Sequence, residues 1–304
     1  MMARLLRLFL IVMLVSALAA RASAQSSPQD QLKAFSNLVN APVVYRAPGM
    51  EEVQVKTNIA YKKDPSADFL QMDLYTPVAK QKRPVPIVIF IHGGVPSNVP
   101  LKPKDWGIYK SWGRLVAASG MAAVTFNHRV SFPDPNLEQG SHDVTDLVDF
   151  VRGHAEEWGL DRERICLAAY SAGGPILSVA MRDTPSYIRC LVAFYAFLDI
   201  QESALHKKYL SEAQLKEFSP IFQLSQNPTK IPPVFVARAG RDQIPDLEPG
   251  LDRFVAEALR RNINLVLMNH AQGIHGFDNQ NDDARSREIV KAAVEFMKNH
   301  LGVQ

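Results

Sequence analysis

The sequence contains only two cysteines, Cys166 and Cys190, among 304 residues. Two thiols cannot form a zinc site without histidines or carboxylates at metal-ligand spacing, and the sequence shows no such spacing. Each cysteine begins an apolar, strand-like run, where a free thiol packs as a small hydrophobic group. We therefore predict two free cysteines. A disulfide stays the open alternative, although adjacent parallel strands seldom offer the required geometry.

Long apolar runs are confined to the first 24 residues. Residues 1–7 carry two arginines and no acid, residues 8–20 are almost continuously apolar, and residues 22–24 read ASA. This order is typical of a secretory signal peptide. The apolar run is shorter than the roughly 20 residues that span a bilayer, and an uncleaved anchor is the alternative. We predict export to the periplasm or the medium, with no stable membrane anchor after cleavage.

Excess basic charge is confined to the same segment. The chain has 34 basic and 31 acidic residues, a formal charge of +3. Three arginines and no acid lie in the first 24 residues, so the mature chain carries equal numbers of the two signs. Because no basic run remains, we expect no nucleic-acid partner.

Apolar strands alternate with helical stretches over most of the chain. Residues 53–61 and 69–75 have the pattern of a half-exposed antiparallel edge. Continuous apolar strands follow at residues 86–91, 121–126, 165–170, 190–197, 233–237 and 264–268. Helical periodicity is found at residues 104–119, 143–158, 172–182, 247–261 and 284–300. This alternation predicts an α/β fold, with a mostly parallel central sheet, helices on both faces and the carboxyl ends of the parallel strands on one edge.

One connection between strands is longer than a crossover requires. Residues 199–231 include a helical stretch at 202–218, and we interpret them as a small helical cap over the site. No internal repeat or low-complexity linker divides the chain. We therefore predict a single domain over residues 25–304 with this cap inserted.

A serine stands where a buried strand meets a helix. Residues 169–174 read AYSAGG, with small residues two before and two after Ser171. Such a string allows the sharp strand-to-helix turn that presents a nucleophilic hydroxyl at the sheet edge. A serine here could instead only cap the helix. The apolar strand before it and the helix after it favour the nucleophile.

The string His92-Gly93-Gly94 directly follows another predicted strand. Two glycines let the backbone turn its N–H groups inward, and with the N–H of Ala172 they would form an oxyanion hole. Either Gly94 or Val95 could supply the second donor. We assign His92 to a structural hydrogen bond.

A serine nucleophile needs a base, and the base needs an orienting acid. His275 lies in a glycine-bracketed loop past the last predicted strand, with His270 as its competitor. Asp242 follows the preceding predicted strand, with Asp246 as the fallback. Because serine, acid and histidine follow in this order, each at a strand's carboxyl end, we predict a triad of Ser171, Asp242 and His275.

These motifs resemble those of the α/β-hydrolase superfamily, in particular its bacterial esterase/lipase-like branch near dienelactone hydrolases and acylaminoacyl-peptidase-type domains. The resemblance covers residues 51–301 and rests on HGG at 92–94, the serine turn, GRD at 240–242 and HGF at 275–277. Two positions depart from it: Ala169 stands where glycine is usual, and Val95 where hormone-sensitive-lipase-like esterases have a third glycine. Dienelactone hydrolases proper use a cysteine nucleophile, so Ser171 argues against that activity.

The sequence thus predicts an exported serine hydrolase that cleaves a small-molecule carboxylic ester through an acyl-enzyme, without metal or organic cofactor. A peptidase or amidase acting on short or acylated peptides is the alternative, since the same triad cleaves amides. A secreted binding protein that keeps the fold without catalysis is the third hypothesis. Substrate identity and oligomeric state stay open at this point.

Overall fold

The computed structural model describes residues 37, 39–63, 68–78, 83–96, 101–226 and 228–303, and the predicted signal peptide at 1–24 lies outside them. The strands are β1 (Gln54–Ala60), β2 (Gln71–Thr76), β3 (Val85–Ile91), β4 (Val95–Pro96), β5 (Ala122–Phe126), β6 (Ser131–Phe132), β7 (Leu160–Tyr170), β8 (Ile188–Phe194), β9 (Val234–Ala239) and β10 (Leu265–His270). The α-helices are α1 (Gly107–Ala118), α2 (Leu137–Gly153), α3 (Ala155–Trp158), α4 (Leu177–Asp183), α5 (Ala204–Lys207), α6 (Glu212–Glu217), α7 (Pro220–Gln226), α8 (Leu247–Arg260), α9 (Phe277–Gln280) and α10 (Ala284–Leu301).

Eight strands form one sheet in the order β1-β2-β5-β3-β7-β8-β9-β10. The pairs β1–β2 and β2–β5 are antiparallel, and every other neighbouring pair is parallel. All seven residues of β3 are buried, which requires cover on both faces of the sheet and explains the continuous apolar run. The predicted α/β class and its mostly parallel sheet are confirmed.

The two cysteines face each other across neighbouring parallel strands. Cys166 of β7 is the register partner of Cys190 in β8, and both are buried and free. Burial raises the pKa of the Cys166 thiol, which keeps it protonated. The free-thiol prediction is confirmed, and both side chains pack as small hydrophobic groups.

A small second sheet was not predicted. Val95 of β4 pairs in parallel with Ser131 of β6, and Pro96 pairs with Phe132. Two-residue strands are too short to produce a periodic sequence pattern. This pairing fixes the segment that follows the His92-Gly93-Gly94 string.

The region predicted as one helix at residues 202–218 contains two short helices, α5 and α6, followed by α7. Ser203 caps α5 by accepting a hydrogen bond from the His206 N–H. Ser211 begins α6 with a capping box, in which the Gln214 side chain returns to the Ser211 N–H. Each cap fixes a new helix start, so the stretch cannot continue as a single helix. That this segment covers the site stays a prediction.

No helix in the described ranges has both the length and the apolarity of a membrane span.

His206 is a buried titratable group in this segment. Its ring lies 4.9 Å from the ring of Phe197, and its Nδ1 lies 2.8 Å from Ser203 Oγ. Burial lowers the pKa of His206 to about 4, against the weaker opposing effect of Asp246. The folded chain therefore holds this imidazole neutral at pH values where the unfolded chain protonates it.

We expect His206→Gln to reduce the acid sensitivity of folding. Because the folded pKa lies below the unfolded value of about 6.5, His206 stabilises the fold above pH 6.5, and that contribution is lost as pH falls toward 4. Between pH 7.5 and 4.5 the variant should lose about 2 kcal/mol less unfolding free energy than the wild type. Urea titrations at both pH values measure this difference, and equal losses in the two proteins would contradict it.

Candidate active site

The turn at Ser171 has the backbone geometry of a strained strand-to-helix junction. Tyr170 ends β7 in extended conformation, whereas Ser171 has a φ of 52°, in the left-handed region that a serine seldom adopts. A 3₁₀ helix, Ser171–Ile176, follows and continues into α4. Strain of this kind persists only where the surroundings impose it, and it is typical of functional turns. The Ser171 carbonyl is held by the N–H of Phe197 at 3.0 Å.

The glycine two residues after this serine permits a close approach to β3. A Cβ on Gly173 would lie 2.5 Å from the His92 carbonyl oxygen and 2.9 Å from that of Ile91. Only hydrogen fits there, so the turn can approach the end of β3 only with glycine at this position. Ala169, where glycine is usual, is fully buried in β7, so the alanine is accommodated.

The loop after β3 lies directly beside the turn. A Cβ on Gly94 would lie 3.1 Å from Ala172 Cβ, and a Cβ on Gly93 would lie 3.7 Å from Ser171 Oγ. The Gly93 N–H donates to the Tyr109 hydroxyl at 3.1 Å and is therefore already engaged. Tyr109, in the first turn of α1, was missed by the sequence analysis, because nothing in its local pattern distinguishes it from a core tyrosine.

His92 orients the peptide between the two glycines. Its Nδ1 lies 2.6 Å from the Gly93 carbonyl oxygen, and its Nε2 accepts a hydrogen bond from the His128 N–H. These partners require the tautomer that carries its proton on Nδ1. Because a trans peptide points its C=O and N–H in opposite directions, holding the Gly93 carbonyl turns the Gly94 N–H away from His92.

His92 and His128 form a stacked pair beneath this loop. Their ring centroids are 3.5 Å apart with an interplanar angle of 10°. Burial lowers the pKa of His92 to about 4 and that of His128 well below its ordinary value. Both rings are therefore neutral near pH 7, which the close stacking requires.

His275 and Asp242 are brought into contact by the loops after β10 and β9. His275 Nδ1 lies 2.7 Å from Asp242 Oδ2, and the other carboxylate oxygen accepts from the Ile244 N–H at 2.9 Å. The Asp242 side chain is fully buried, whereas that of His275 is 16% exposed. This arrangement leaves Nε2 of the imidazole as the ring nitrogen available to a substrate or a serine.

The competing histidine and acid are engaged elsewhere. His270 Nε2 lies 3.1 Å from Asp283 Oδ2 and 3.0 Å from Ser286 Oγ. Asp246 Oδ2 accepts from the Ala204 N–H at 2.9 Å, across to α5. The contacts around the site thus favour His275 and Asp242 over both competitors.

Ser171, Asp242 and His275 all lie at carboxyl ends of sheet strands, on the edge where the sequence analysis placed them. Within the described ranges no hydrogen bond joins Ser171 Oγ to the His275 ring. In enzymes without substrate this contact is often long and tightens only when the substrate binds. The same ranges contain no group of three or more metal-ligating side chains.

Family models match this chain over the regions that carry these residues. The model of the prolyl oligopeptidase family matches residues 131–304, more than half of the chain. The chain belongs to the prolyl oligopeptidase family. A second model, BD-FAE, matches residues 72–184, which include the loop after β3 and the serine turn. This prolyl oligopeptidase family member therefore lies in the α/β-hydrolase superfamily, as its motifs indicated.

Curated relatives match part of this family member. A probable isoprenylcysteine alpha-carbonyl methylesterase of Oryza sativa subsp. japonica is 30% identical over 133 residues, 42% of this chain and 28% of the relative. A secreted lipase of Arthroderma benhamiae is 29% identical over 147 residues, 42% of this chain and 28% of the relative. The matched part spans less than a third of these relatives' length.

Solved structures share its fold. Esterase B from Lactobacillus rhamnosis has a TM-score of 0.68 at 16% identity, covering 93% of this chain and 96% of the esterase. A thermophilic esterase from the Planctomycetes species Thermogutta terrifontis has a TM-score of 0.63 at 21% identity, covering 83% and 96%. At these identities the likeness establishes the α/β-hydrolase fold alone.

We expect Gly173→Ala to disrupt the serine turn. Its Cβ would collide with two backbone carbonyls that cannot move cheaply, so the unfolding free energy should fall by about 1–3 kcal/mol. Gly153→Ala is the matched control, because a Cβ there meets nothing within 4 Å and the residue ends α2. Urea denaturation should show the control unchanged or more stable by up to about 1 kcal/mol. Equal behaviour of the two variants would contradict the close-approach argument.

Proposed function

We propose that this protein is a serine hydrolase that cleaves a carboxylic ester, with Ser171 as nucleophile, His275 as general base and Asp242 as its orienting acid. The observation that carries the proposal is the 2.7 Å contact between His275 Nδ1 and Asp242 Oδ2, at the sheet edge that also carries the strained Ser171 turn. A buried acid on Nδ1 fixes the tautomer that leaves Nε2 free to accept a proton. A serine that merely capped a helix would not require a histidine–carboxylate pair at the same sheet edge.

The reaction proceeds in two halves. Ser171 Oγ attacks the ester carbonyl carbon while its proton passes to His275 Nε2, and the resulting imidazolium is stabilised by Asp242. The imidazolium then protonates the departing alcohol, which leaves Ser171 acylated. Water attacks the acyl-enzyme with His275 again as base, and the acid is released. The step sequence uses no metal or organic cofactor.

The oxyanion hole of this proposal uses the N–H groups of Ala172 and Gly94. The first N–H groups of a helix lack intrahelical partners, which leaves that of Ala172 available. His92 turns the Gly94 N–H away from its own ring, and Gly94 lies beside Ala172. The N–H of Gly93 is left out because Tyr109 already accepts it. Each donor to the oxyanion contributes roughly 3 kcal/mol in comparable sites.

A second candidate function is hydrolysis of short or acylated peptides. The family observation favours it, since the matching model is that of the prolyl oligopeptidase family. The same triad can cleave esters and amides, so the residues alone do not distinguish an esterase from a peptidase. Comparing kcat/KM for short p-nitrophenyl esters with kcat/KM for acylated peptide amides distinguishes these two functions. A non-catalytic binding protein of this fold would turn over neither substrate.

Export completes the proposal. The charged, apolar and small-residue segments at residues 1–24 have the order of a signal peptide. One of the relatives is described as a secreted lipase. We place the working enzyme in the periplasm or the medium, and N-terminal sequencing of the protein recovered there would detect cleavage after residue 24.

We expect Ser171→Ala to abolish reaction with a fluorophosphonate probe and to lower ester turnover by at least roughly a thousandfold. Labelling followed by peptide mass mapping should place the wild-type adduct on Ser171. Ser225→Ala is the control, since this exposed serine bonds only to near neighbours in the chain: its hydroxyl donates to the Phe222 carbonyl and accepts from Gln226 Nε2. Normal labelling of Ser171→Ala, or no labelling of the folded wild type, would overturn the assignment.

We expect Asp242→Asn to lower kcat by about 10⁴, because the amide favours the wrong imidazole tautomer. Asp246→Asn is the matched control on the same loop, since Asp246 binds the Ala204 N–H instead of His275. Ester assays should show the control within a few fold of wild type. A larger loss in the control than in Asp242→Asn would identify Asp246 as the acid.

A further inference from the structure

A second buried carboxylate lies near His275, outside the proposed triad. Asp278 of α9 stands three residues after His275 and is fully buried. Its Oδ2 accepts a hydrogen bond from Trp112 Nε1 at 2.8 Å, and its Oδ1 accepts one from the Tyr195 hydroxyl at 2.7 Å. An indole N–H can only donate, so two accepting oxygens fit an ionised carboxylate.

Tyr195 connects this carboxylate to His275. The centroid of its ring lies 4.6 Å from that of the imidazole, at an interplanar angle of 59°. Tyr195 directly follows β8 with a φ of 34°, and its N–H is held by the Ala237 carbonyl at 2.8 Å. The strained backbone thus places one phenol between two partners, the imidazole on its ring and the carboxylate on its hydroxyl.

Within the described ranges the Asp278 carboxylate pairs with no lysine or arginine, and its side-chain hydrogen bonds come from Trp112 and Tyr195. Burial raises the pKa of Asp278, while the bonds from Trp112 and Tyr195 and the charge of a protonated His275 lower it. The hydroxyls of Tyr109 and Tyr170 also lie near enough for its charge to contribute to their raised pKa values, after burial. A protonated His275 is therefore the cation that this buried charge faces.

Three elements contribute charged or titratable groups around the imidazole. Asp242 approaches from the loop after β9, Tyr195 from the end of β8, and Asp278 from α9. Asp242 bonds to Nδ1, and Tyr195 packs against the ring. Asp278 acts across the phenol, through its charge rather than through a direct bond.

We infer that Tyr195 and Asp278 are positioning residues for the general base: the Tyr195 ring fixes the orientation of the His275 imidazole, and the Asp278 carboxylate, beyond the Tyr195 phenol, stabilises its protonated form. This inference rests on the proposed role of His275. No proton moves to Asp278, since the serine proton goes to His275 Nε2 and returns from there to the leaving alcohol.

The pH dependence of fluorophosphonate labelling of Ser171 tests the electrostatic part and needs no knowledge of the substrate. Protonation of the general base at low pH slows labelling, which gives the rate an acidic limb. Asp278→Asn keeps the side-chain volume and removes the negative charge, so protonated His275 loses a stabilising partner. We expect the limb to move to lower pH by about half a unit to one unit.

Asp199→Asn is the matched control for loss of a buried carboxylate. Asp199 is buried, pairs with Arg253 Nε at 2.7 Å and accepts from Ser219, and it does not contact His275. Its removal should leave the acidic limb where the wild type has it. An unmoved limb in Asp278→Asn, or an equal shift in Asp199→Asn, would overturn the inference.

Two Tyr195 variants test the packing part independently, and they carry the test if Asp278→Asn does not fold. Tyr195→Phe keeps the ring against His275, so its labelling rate on the high-pH plateau should stay near wild type. Tyr195→Leu removes the ring and should lower that plateau rate roughly tenfold or more. Equal plateau rates in the two variants would overturn the positioning role. Absence of labelling in the folded wild type would instead overturn the proposed function itself.

Discussion

The site depends on a close approach between the end of β3 and the turn after β7. The two strands are parallel neighbours in register, with Ile91 opposite Ala169, so their carboxyl ends stop at the same height. The missing side chain of Gly173 then lets the turn rest directly on the carbonyls of Ile91 and His92. This contact sets Ser171 beside the loop that carries the proposed oxyanion donors. A bulkier residue at that point would separate Ser171 from this loop.

The buried polar groups beneath the site are divided by charge. Under the loop after β3, two stacked neutral histidines hold the backbone. His92 Nε2 accepts a hydrogen bond from the His128 N–H, and a proton on Nε2 would block that bond. Around His275 the arrangement is the opposite, because Asp242 and Asp278 are buried acceptors. In the proposed mechanism positive charge develops only on His275. The protein therefore concentrates negative charge where the reaction creates a cation and excludes charge where the backbone must stay fixed.

Tyrosines connect these two regions to the core. Tyr109 accepts the Gly93 N–H from one side, and Tyr195 packs on His275 from the other. Tyr170, which immediately precedes the proposed nucleophile, lies between them, edge-on to Tyr109 at 5.6 Å and 6.0 Å from Tyr195. Large, rigid rings of this kind hold a fixed geometry at low entropic cost. The elements that carry the proposed nucleophile, base and oxyanion loop thus share one aromatic layer.

The sequence by itself determined the fold class and identified Ser171, Asp242 and His275 as site candidates, because strand periodicity and motif order are local signals. It left a disulfide open, and the structure shows both cysteines free. Only the tertiary structure shows which ring meets Asp242: the loop after β10 brings His275 to this carboxylate, whereas His270 contacts Asp283. Residues 202–218 divide into short helices at local caps on Ser203 and Ser211, which a helical apolar pattern does not reveal. The pairing of β4 with β6 and the contact of the Gly93 N–H with Tyr109 were decided by the tertiary structure alone, because they join residues distant in the chain and no short window of sequence contains both partners.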